Sequence, residues 1–452
     1  MIQPATLREC DVAIIGAGPA GLGCAIEASR AGLSVLVLDE QLLPGSQATD
    51  WDARDGAPLV AEFRASTSLY WPGSAVWQIE QRPSREGFVV YFSQSGLTRC
   101  VTARHLVIAT GALERPVPIP GCTLPGVMNI GAAQTLLKIG AAGPVVIAGQ
   151  GPLLMLYALQ LLKSGIKPLV FLQTTPAGIF GRALAHVAGA LASPRQILKA
   201  LRLMADIHAA GVPFIRNVES IEAVGTEKLS SVRYSHRGKT QELAADLLLL
   251  HEGMVPHTHL AMSLGVMHHW DANQLCWHPD RDEMGRTSVD GVRIAGDAAG
   301  IGGWPMAEID GRLIGSTLAK ARVTADPRRR NTWQKQRRRH ARLRSFLDAW
   351  YRPRAALLAP ADEVIVCRCE NKSAGALRLA IHQGCVGPNQ VKAFTRCGMG
   401  TCQGRDCALT LTTLLAAERK IAPGEAGYLR IRPPLKPLTL GELASLEAAD
   451  RL

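Results

Sequence analysis

The chain has 452 residues, which at roughly 150 per domain suggests about three domains, and its 47% hydrophobic and 19% charged content is ordinary for a globular protein. That balance excludes wholesale disorder, and 44 glycines without a G-X-Y period exclude a collagen-like helix. The net charge is +12, but ten Lys/Arg against one acid, Asp326, fall between Arg322 and Arg344, so nine of the twelve charges belong to one segment.

From the N-terminus, Met1–Cys10 lacks the basic, apolar and small-residue regions of a secretory signal. No apolar run reaches the ~18 residues that span a bilayer. A reducing cytoplasm is therefore expected, with peripheral contact at the inner membrane as the alternative. Asp11–Ile15 reads as a buried parallel strand running into Gly16-Ala-Gly18-Pro19-Ala20-Gly21, then a helical stretch to Ala31 and a second strand, Val35–Leu38. Gly16 permits the tight turn, Gly18 lets backbone approach a pyrophosphate, and Gly21 permits close helix–strand packing. The helix N-terminus offers free N–H groups to phosphate. Asp39 and Glu40 end the second strand, where an acid hydrogen-bonds ribose hydroxyls, and Glu40 is the preferred one. A lone glycine fingerprint is weak evidence; strand, turn, helix, strand and acid in this order make it a dinucleotide site.

Two later strands end in Ala109-Thr110-Gly111 and in Gly296-Asp297. These resemble the distal fingerprints of the two-dinucleotide-domain, glutathione-reductase-like flavoproteins. The resemblance implies FAD, with Asp297 on its ribityl and phosphate portion and Ala109, Thr110 and Gly111 lining its domain. Between them, Pro144–Ala148 leads into Gly149-Gln-Gly151-Pro-Leu-Leu154, a helix and the strand Leu169–Leu172. Leu154 replaces the third glycine, and Gln173-Thr-Thr175 provides neither a ribose acid nor an Arg for a 2′-phosphate. NAD(P)H binding is disfavoured, and a repurposed or vestigial second nucleotide site is expected. Cys10, Cys24, Cys100, Cys122 and Cys276 are isolated and read as apolar filler, which excludes a disulfide reductase. His251, Glu252, His257 and His259 read as structural rather than catalytic, so no catalytic residue is assigned.

The basic segment reads as a solvated helix anchored by Trp333, Leu343, Phe346, Leu347 and Trp350; one interrupting aromatic, Trp333, does not make a nucleic-acid face. Six of the eleven cysteines then fall within residues 367–407. Cys367-Arg-Cys369, followed by Cys397-Gly-Met-Gly-Thr-Cys402, supplies two pairs of thiolates, as a [2Fe–2S] cluster needs. Zinc also accepts four cysteines, but a flavin domain upstream favours an electron carrier. Short helices are expected over Ser373–Gln383 and Asn389–Phe394, and a third over Cys402–Ala417 with Cys402 at its start. Cys407 is left open as a spare, an alternative ligand or filler, and Cys385 reads as core.

Several stretches together carry a more specific likeness: Ala109-Thr-Gly-Ala-Leu-Glu-Arg-Pro-Val-Pro-Ile-Pro-Gly121, Leu124-Pro-Gly-Val-Met128, His251-Glu-Gly253, Gly296-Asp-Ala-Ala-Gly-Ile-Gly-Gly303 and Arg396-Cys-Gly-Met-Gly-Thr-Cys-Gln-Gly-Arg405. Over nearly its whole length the chain resembles the FAD-containing alpha subunits of bacterial opine oxidases. Relatives of that family include D-hydroxyproline dehydrogenase, dye-linked L-proline dehydrogenase and hydrogen cyanide synthase subunits. The resemblance implies a role in electron transfer within a heteromeric enzyme. The C–N bond would be oxidised by a beta subunit, which is an amino-acid-oxidase-like flavoprotein. Some members carry an FMN at the interface, and a small third subunit is a further expected partner. The resemblance also places Gln47 and Val76 among the FAD contacts, although Pro44-Gly-Ser-Gln47 lacks the family's second glycine. The alternative is a self-contained NAD(P)H-dependent flavin reductase, and a scaffold with vestigial cofactor sites is a third class.

The expected architecture is thus α/β, a two-dinucleotide-domain flavoprotein with a small helical [2Fe–2S] domain. Residues 1–140 and 285–325 would form the FAD domain and 141–284 the second nucleotide-like domain. A basic helical linker, 326–360, would lead to the cluster domain, 361–418, and a Pro-rich tail, 419–452.

Overall fold

A computed structural model describes residues 9–45, 53–82, 86–137, 143–191, 193–319 and 327–446. Gln47 and the start of the basic segment, including Arg322 and Asp326, lie outside the described residues.

Apolar runs with both faces covered make the strands Glu9–Ile15 and Val35–Leu38, which pair in parallel and are buried from Val12 to Ile15 and throughout Val35–Leu38, apart from residual exposure at Ile15 and Val35. They belong to a seven-stranded sheet. Leu69–Trp71 lies outside Val35–Leu38, and Leu97–Ile108 lies on the other side of Glu9–Ile15. A hairpin, Ala75–Gln81 and Phe88–Gln94, extends the sheet, while Val292–Ile294 returns from much later in the chain to pair with Leu106–Ile108. Helix Pro19–Arg30 packs on helix Trp304–Gly315 so closely that a Cβ on Gly311 would sit 1.9 Å from the Ala20 carbonyl oxygen.

A second sheet has five parallel strands in the order Phe214–Ile215, Val170–Gln173, Val145–Gly149, Leu247–His251 and Val127–Asn129. An antiparallel meander, Val218–Gly225 through Lys239–Ala244, covers it. The sequence boundaries of this unit need correction. Val117, Ile119, Cys122 and Val127 already pack in its core, so the chain enters it well before residue 141. Leu260, Ala261 and Val266 instead join the core of the FAD-type sheet, so it leaves well before residue 284. The crossings are short strands and proline turns with no composition shift, which is why the sequence does not mark them.

The basic helix, Pro327–Trp350, has no fully buried residue, yet it is not simply a solvated face. Arg337 reaches the buried Asp310 at 3.4 Å and the Glu283 carbonyl at 2.7 Å, and Arg329 lies 3.4 Å from the buried Glu27. Its other side approaches Gly189, where a Cβ would come within 2.4 Å of the Arg342 carbonyl oxygen. The helix therefore wedges between the two nucleotide-type units. Beyond it, Ala374–His382, Pro388–Thr395 and Ala408–Arg419 form the small helical unit. The third helix starts six residues later than expected, with Cys407 rather than Cys402 at its N-cap, because residues 402–407 are taken up in turns. The tail folds back on the first sheet: Leu435 N–H donates to the Trp77 carbonyl, and Thr98 bonds both Glu442 and Ser445. Among the described residues no helix is long and apolar enough to cross a membrane.

Candidate functional site

Two of the fingerprint glycines have no room for a side chain. A Cβ on Gly16, at φ +108°, would lie 2.3 Å from the Ala109 carbonyl oxygen, and one on Gly21 would lie 1.9 Å from that of Gly16. Gly18 and Gly111 are different, since a Cβ on either would meet nothing within 4 Å. The helix that follows Gly18 starts with Pro19 and has no side-chain N-cap bond, so its N-terminal dipole faces this open space. That is the surrounding a pyrophosphate requires. Ala20 and Ala109 are buried and serve the packing beneath it. Val76 is also buried, opposite Phe92 in the hairpin, so its side chain belongs to the sheet core.

The two acids at the strand end have separate tasks. Asp39 accepts the Ala17 N–H at 2.5 Å and the Gln41 N–H at 2.7 Å, bracing the glycine turn. Burial raises its pKa, against the pull of those two bonds and of Lys436. Glu40 is half exposed and ion-paired with Lys436 from the tail. Nothing local in the sequence signals that partner, which comes from almost 400 residues away.

On the opposite side, Gly296 and Asp297 follow the returning strand Val292–Ile294. Asp297 Oδ1 accepts the N–H groups of Gly302 and Gly303 at 2.8 and 2.9 Å, at the entrance to helix Trp304–Gly315. Burial raises its pKa, and the two N–H bonds and Arg344 oppose the rise. The position is held from below by Asp310, which sequence reasoning missed. Its Oδ2 accepts from Gly296 N–H at 2.9 Å and from Arg281 at 2.7 Å. An acid inside a helix carries no motif; only the fold reveals what it braces.

In the second unit, Gly149 still needs to be glycine, because a Cβ would lie 1.9 Å from the His251 carbonyl oxygen. The rest of the mouth is filled from within the chain. Gln150 donates to the Arg352 carbonyl at 2.9 Å and accepts from Thr175. Glu252, fully buried, accepts from Thr174 at 2.8 Å and pairs with Arg354 at 3.0 Å. His251 Nδ1 bonds Glu114 at 2.8 Å. The stretch after the basic helix thus lies over the strand ends where a nicotinamide dinucleotide would sit in a related fold, and His251 and Glu252 are both engaged in holding it.

The cysteine-rich unit brings together more thiols than the spacing suggested. The sulfurs of Cys367, Cys397 and Cys407, all buried, lie within 4.8 Å of one another. Cys369 and Cys402 make a second, more exposed pair bonded through their thiols. Gly400 permits this approach, since a Cβ there would lie 2.2 Å from that of Cys369. Hydrogen bonds from Cys397 and Cys407 push the Cys367 thiol far down, to about 2, and the thiols of Cys397 and Cys407 are raised in return. One negative charge shared among three close sulfurs is the donor chemistry of a cation or cluster site. The pairing runs across the two motifs rather than within them. Cys10, Cys24, Cys122, Cys276 and Cys385 are buried free thiols elsewhere.

A cleft of about 380 Å³ lies between the two redox-type sites, lined by Thr258, His259, Trp277, Arg405 and Tyr428 among others. On one side Thr110 donates to the His257 carbonyl at 3.2 Å. On the other, Arg405 donates to the Cys402 carbonyl at 3.0 Å. Burial, and then the Arg405 charge, lowers His257 to about 4; burial, His257 and Arg405 lower His259 to about 3. Both imidazoles are neutral in the fold at pH 7 and protonate near 6.5 once unfolded. The unfolded chain therefore takes up more protons as pH falls from about 6.5 towards 4, and stability is lost across that window. Each histidine should contribute a slope of about 1.4 kcal/mol per pH unit. Thermal unfolding between pH 7 and pH 5 measures it. His259→Gln should flatten the dependence, and an unchanged slope would exclude this origin.

Residues 10–311 match the family of pyridine nucleotide-disulphide oxidoreductases, and residues 365–447 match the sarcosine oxidase A3 domain. The alpha-type chain of opine oxidase from Agrobacterium tumefaciens (strain Ach5) is 41% identical over 99% of this chain and 95% of its own. Hydrogen cyanide synthase subunit HcnB of Pseudomonas aeruginosa is 30% identical over 96% of this chain and 98% of its own. Among solved structures, L-proline dehydrogenase from P. horikoshii superposes with a TM-score of 0.72, at 20% identity, over 96% of this chain and 79% of that one.

Proposed function

Because this chain belongs to the family of the opine oxidase alpha-type subunits, we propose that it is the electron-transfer subunit of a heteromeric dehydrogenase of opines or other secondary amines. A flavin-dependent oxidoreductase acting on CH–NH donors is the coarser reading that the relatives carry. The finer one rests on a single observation. The glycine cradle and the thiol cluster face each other across one cleft, while the mouth of the second unit is closed by Gln150, Arg352 and Arg354.

FAD fits the first site: open space at Gly18 and Gly111, a helix N-terminus for its pyrophosphate, Glu40 at the ribose end and Asp297 for the ribityl portion. A [2Fe–2S] cluster fits the second through Cys367, Cys369, Cys397 and Cys402, with Cys407 as a fifth thiol. Bound there, the flavin would accept electron pairs and the cluster would carry single electrons. Around them the chain's own groups fix the cofactors, keep His257 and His259 neutral and exclude water. The amine would be oxidised on a partner, an amino-acid-oxidase-like beta subunit, with FMN at the interface and a small third chain as further components. Zinc at the thiols is the competing occupant.

The isolated chain should show flavin and cluster absorbance, yet leave opines and imino acids untouched until the beta subunit is added. Direct flavin reduction by substrate in the chain alone would refute the division of labour. Rapid bleaching by NADH in a stopped-flow mix would favour the self-contained reductase instead.

A further inference from the structure

Away from both redox sites, the hairpin His268–Asp271 and Cys276–Pro279 carries a second group of metal-type ligands. His269 and His278 are directly opposite across the two strands, and Asp271 lies two residues from His269 on the same face. One ligand atom from each lies within 4.8 Å of the others. The two imidazole rings are 5.9 Å apart, edge to face.

The surrounding hydrogen bonds decide which atoms are left to bind. His269 Nδ1 is 2.5 Å from the Asp280 carboxylate, which can only accept, so the proton sits on Nδ1 and the lone pair on Nε2. His278 Nε2 is 3.1 Å from Gln274 Oε1. That amide is oriented by its NH₂ donating to the Ile301 carbonyl and to Asp348, and by Oε1 accepting the Ile301 N–H. Nε2 therefore carries the proton and Nδ1 the lone pair. Asp271 uses Oδ1 for the N–H groups of Asn273 and Gln274, at 2.9 and 2.6 Å, leaving Oδ2. Three lone pairs remain on His269 Nε2, His278 Nδ1 and Asp271 Oδ2, and the first two are each backed by a carboxylate or amide acceptor. Such outer partners are what orient metal-binding histidines.

We propose that His269, Asp271 and His278 form a binding site for a borderline divalent cation of the zinc type. Two imidazoles and a carboxylate suit Zn²⁺, Ni²⁺ or Co²⁺ and disfavour Mg²⁺ or Ca²⁺, which prefer all-oxygen surroundings. Solvent would complete the coordination, since the site is partly open. Its position gives it a consequence. The His278 ring lies against Gly300, where a Cβ would come within 3.0 Å of Cε1, and Gln274 holds Ile301 by two bonds. The cation would thus clamp the hairpin onto the loop that follows Asp297.

The test uses the holoprotein, with flavin and iron loaded so that the cysteine thiols are occupied, and zinc sulfate alone as the probe. Calorimetric titration should show one equivalent bound, with a higher melting temperature, and magnesium should give neither. His269→Gln removes an exposed ligand without touching the core and should weaken zinc at least tenfold. Asp280→Asn, which only loosens the His269 ring, should weaken it by about 10–100-fold. Absence of a zinc-dependent heat in the wild-type protein overturns the site. So does an affinity unaffected by His269→Gln, which would place the zinc on other groups.

Discussion

Replacing Asp310 with alanine is expected to destabilise the flavin-binding unit by about 3–5 kcal/mol, the usual cost of breaking a buried charge pair. The side chain is 1% exposed and serves three donors from three parts of the chain: Gly296 N–H, Arg281 and Arg337. Alanine would leave two arginines, each 18% exposed, without their main counter-charge, and would free the backbone directly before Asp297. Flavin release followed by fluorescence on heating should therefore move to lower temperature together with the global transition. Asp310→Asn keeps an acceptor for the Gly296 N–H and should do less harm, because only the charge is lost. If Asp310→Ala melted like the parent protein, the proposed coupling of the linker helix to the flavin site through Arg337 would have to be abandoned.

The second large effect concerns the thiols. Cys367 lies at the centre of the buried trio and is the sulfur most readily ionised there. Cys367→Ser should reduce bound iron and the visible and paramagnetic signals of the cluster to background, while flavin content stays near that of the parent. Five thiols exceed the four that a [2Fe–2S] centre uses. Among serine variants at Cys397, Cys402 and Cys407, one should therefore keep its full iron, and that one identifies the bystander. Full iron in Cys367→Ser, or zinc in place of iron in the anaerobically purified parent, would contradict the assignment.

Much of the first site was legible because its requirements are local. Gly16, Gly18 and Gly21 act within one turn and one helix, and the steric limits at Gly16 and Gly21 are the ones the motif implies. The departures at Leu154 and Gln173 were equally readable, and Leu154 is indeed packed in the core rather than at a helix–phosphate contact. The cysteine motifs revealed the donor type but not the pairing. Sequence spacing brought Cys367 together with Cys369, whereas the fold sets Cys367 against Cys397 and Cys407. The basic helix was recognised as a helix, but its charge said nothing of Asp310, Glu27 or Glu283, which it meets only after folding.

By itself, then, the order of residues determined the α/β flavoprotein architecture, the first nucleotide fingerprint and the presence of a thiol-rich unit, because strand–turn–helix geometry and its glycines are short-range properties. Tertiary structure alone decided the ligand-like trio around Cys407, the closing of the second mouth by Arg352 and Arg354, the Lys436 cover on Glu40 and the His269–His278 pair. Each joins groups far apart in the chain or across strands whose register no local pattern specifies. The physical reason is common to all of them: distance and burial, which set whether charges pair, thiols ionise or imidazoles stay neutral, come into being only when the sheets and helices pack.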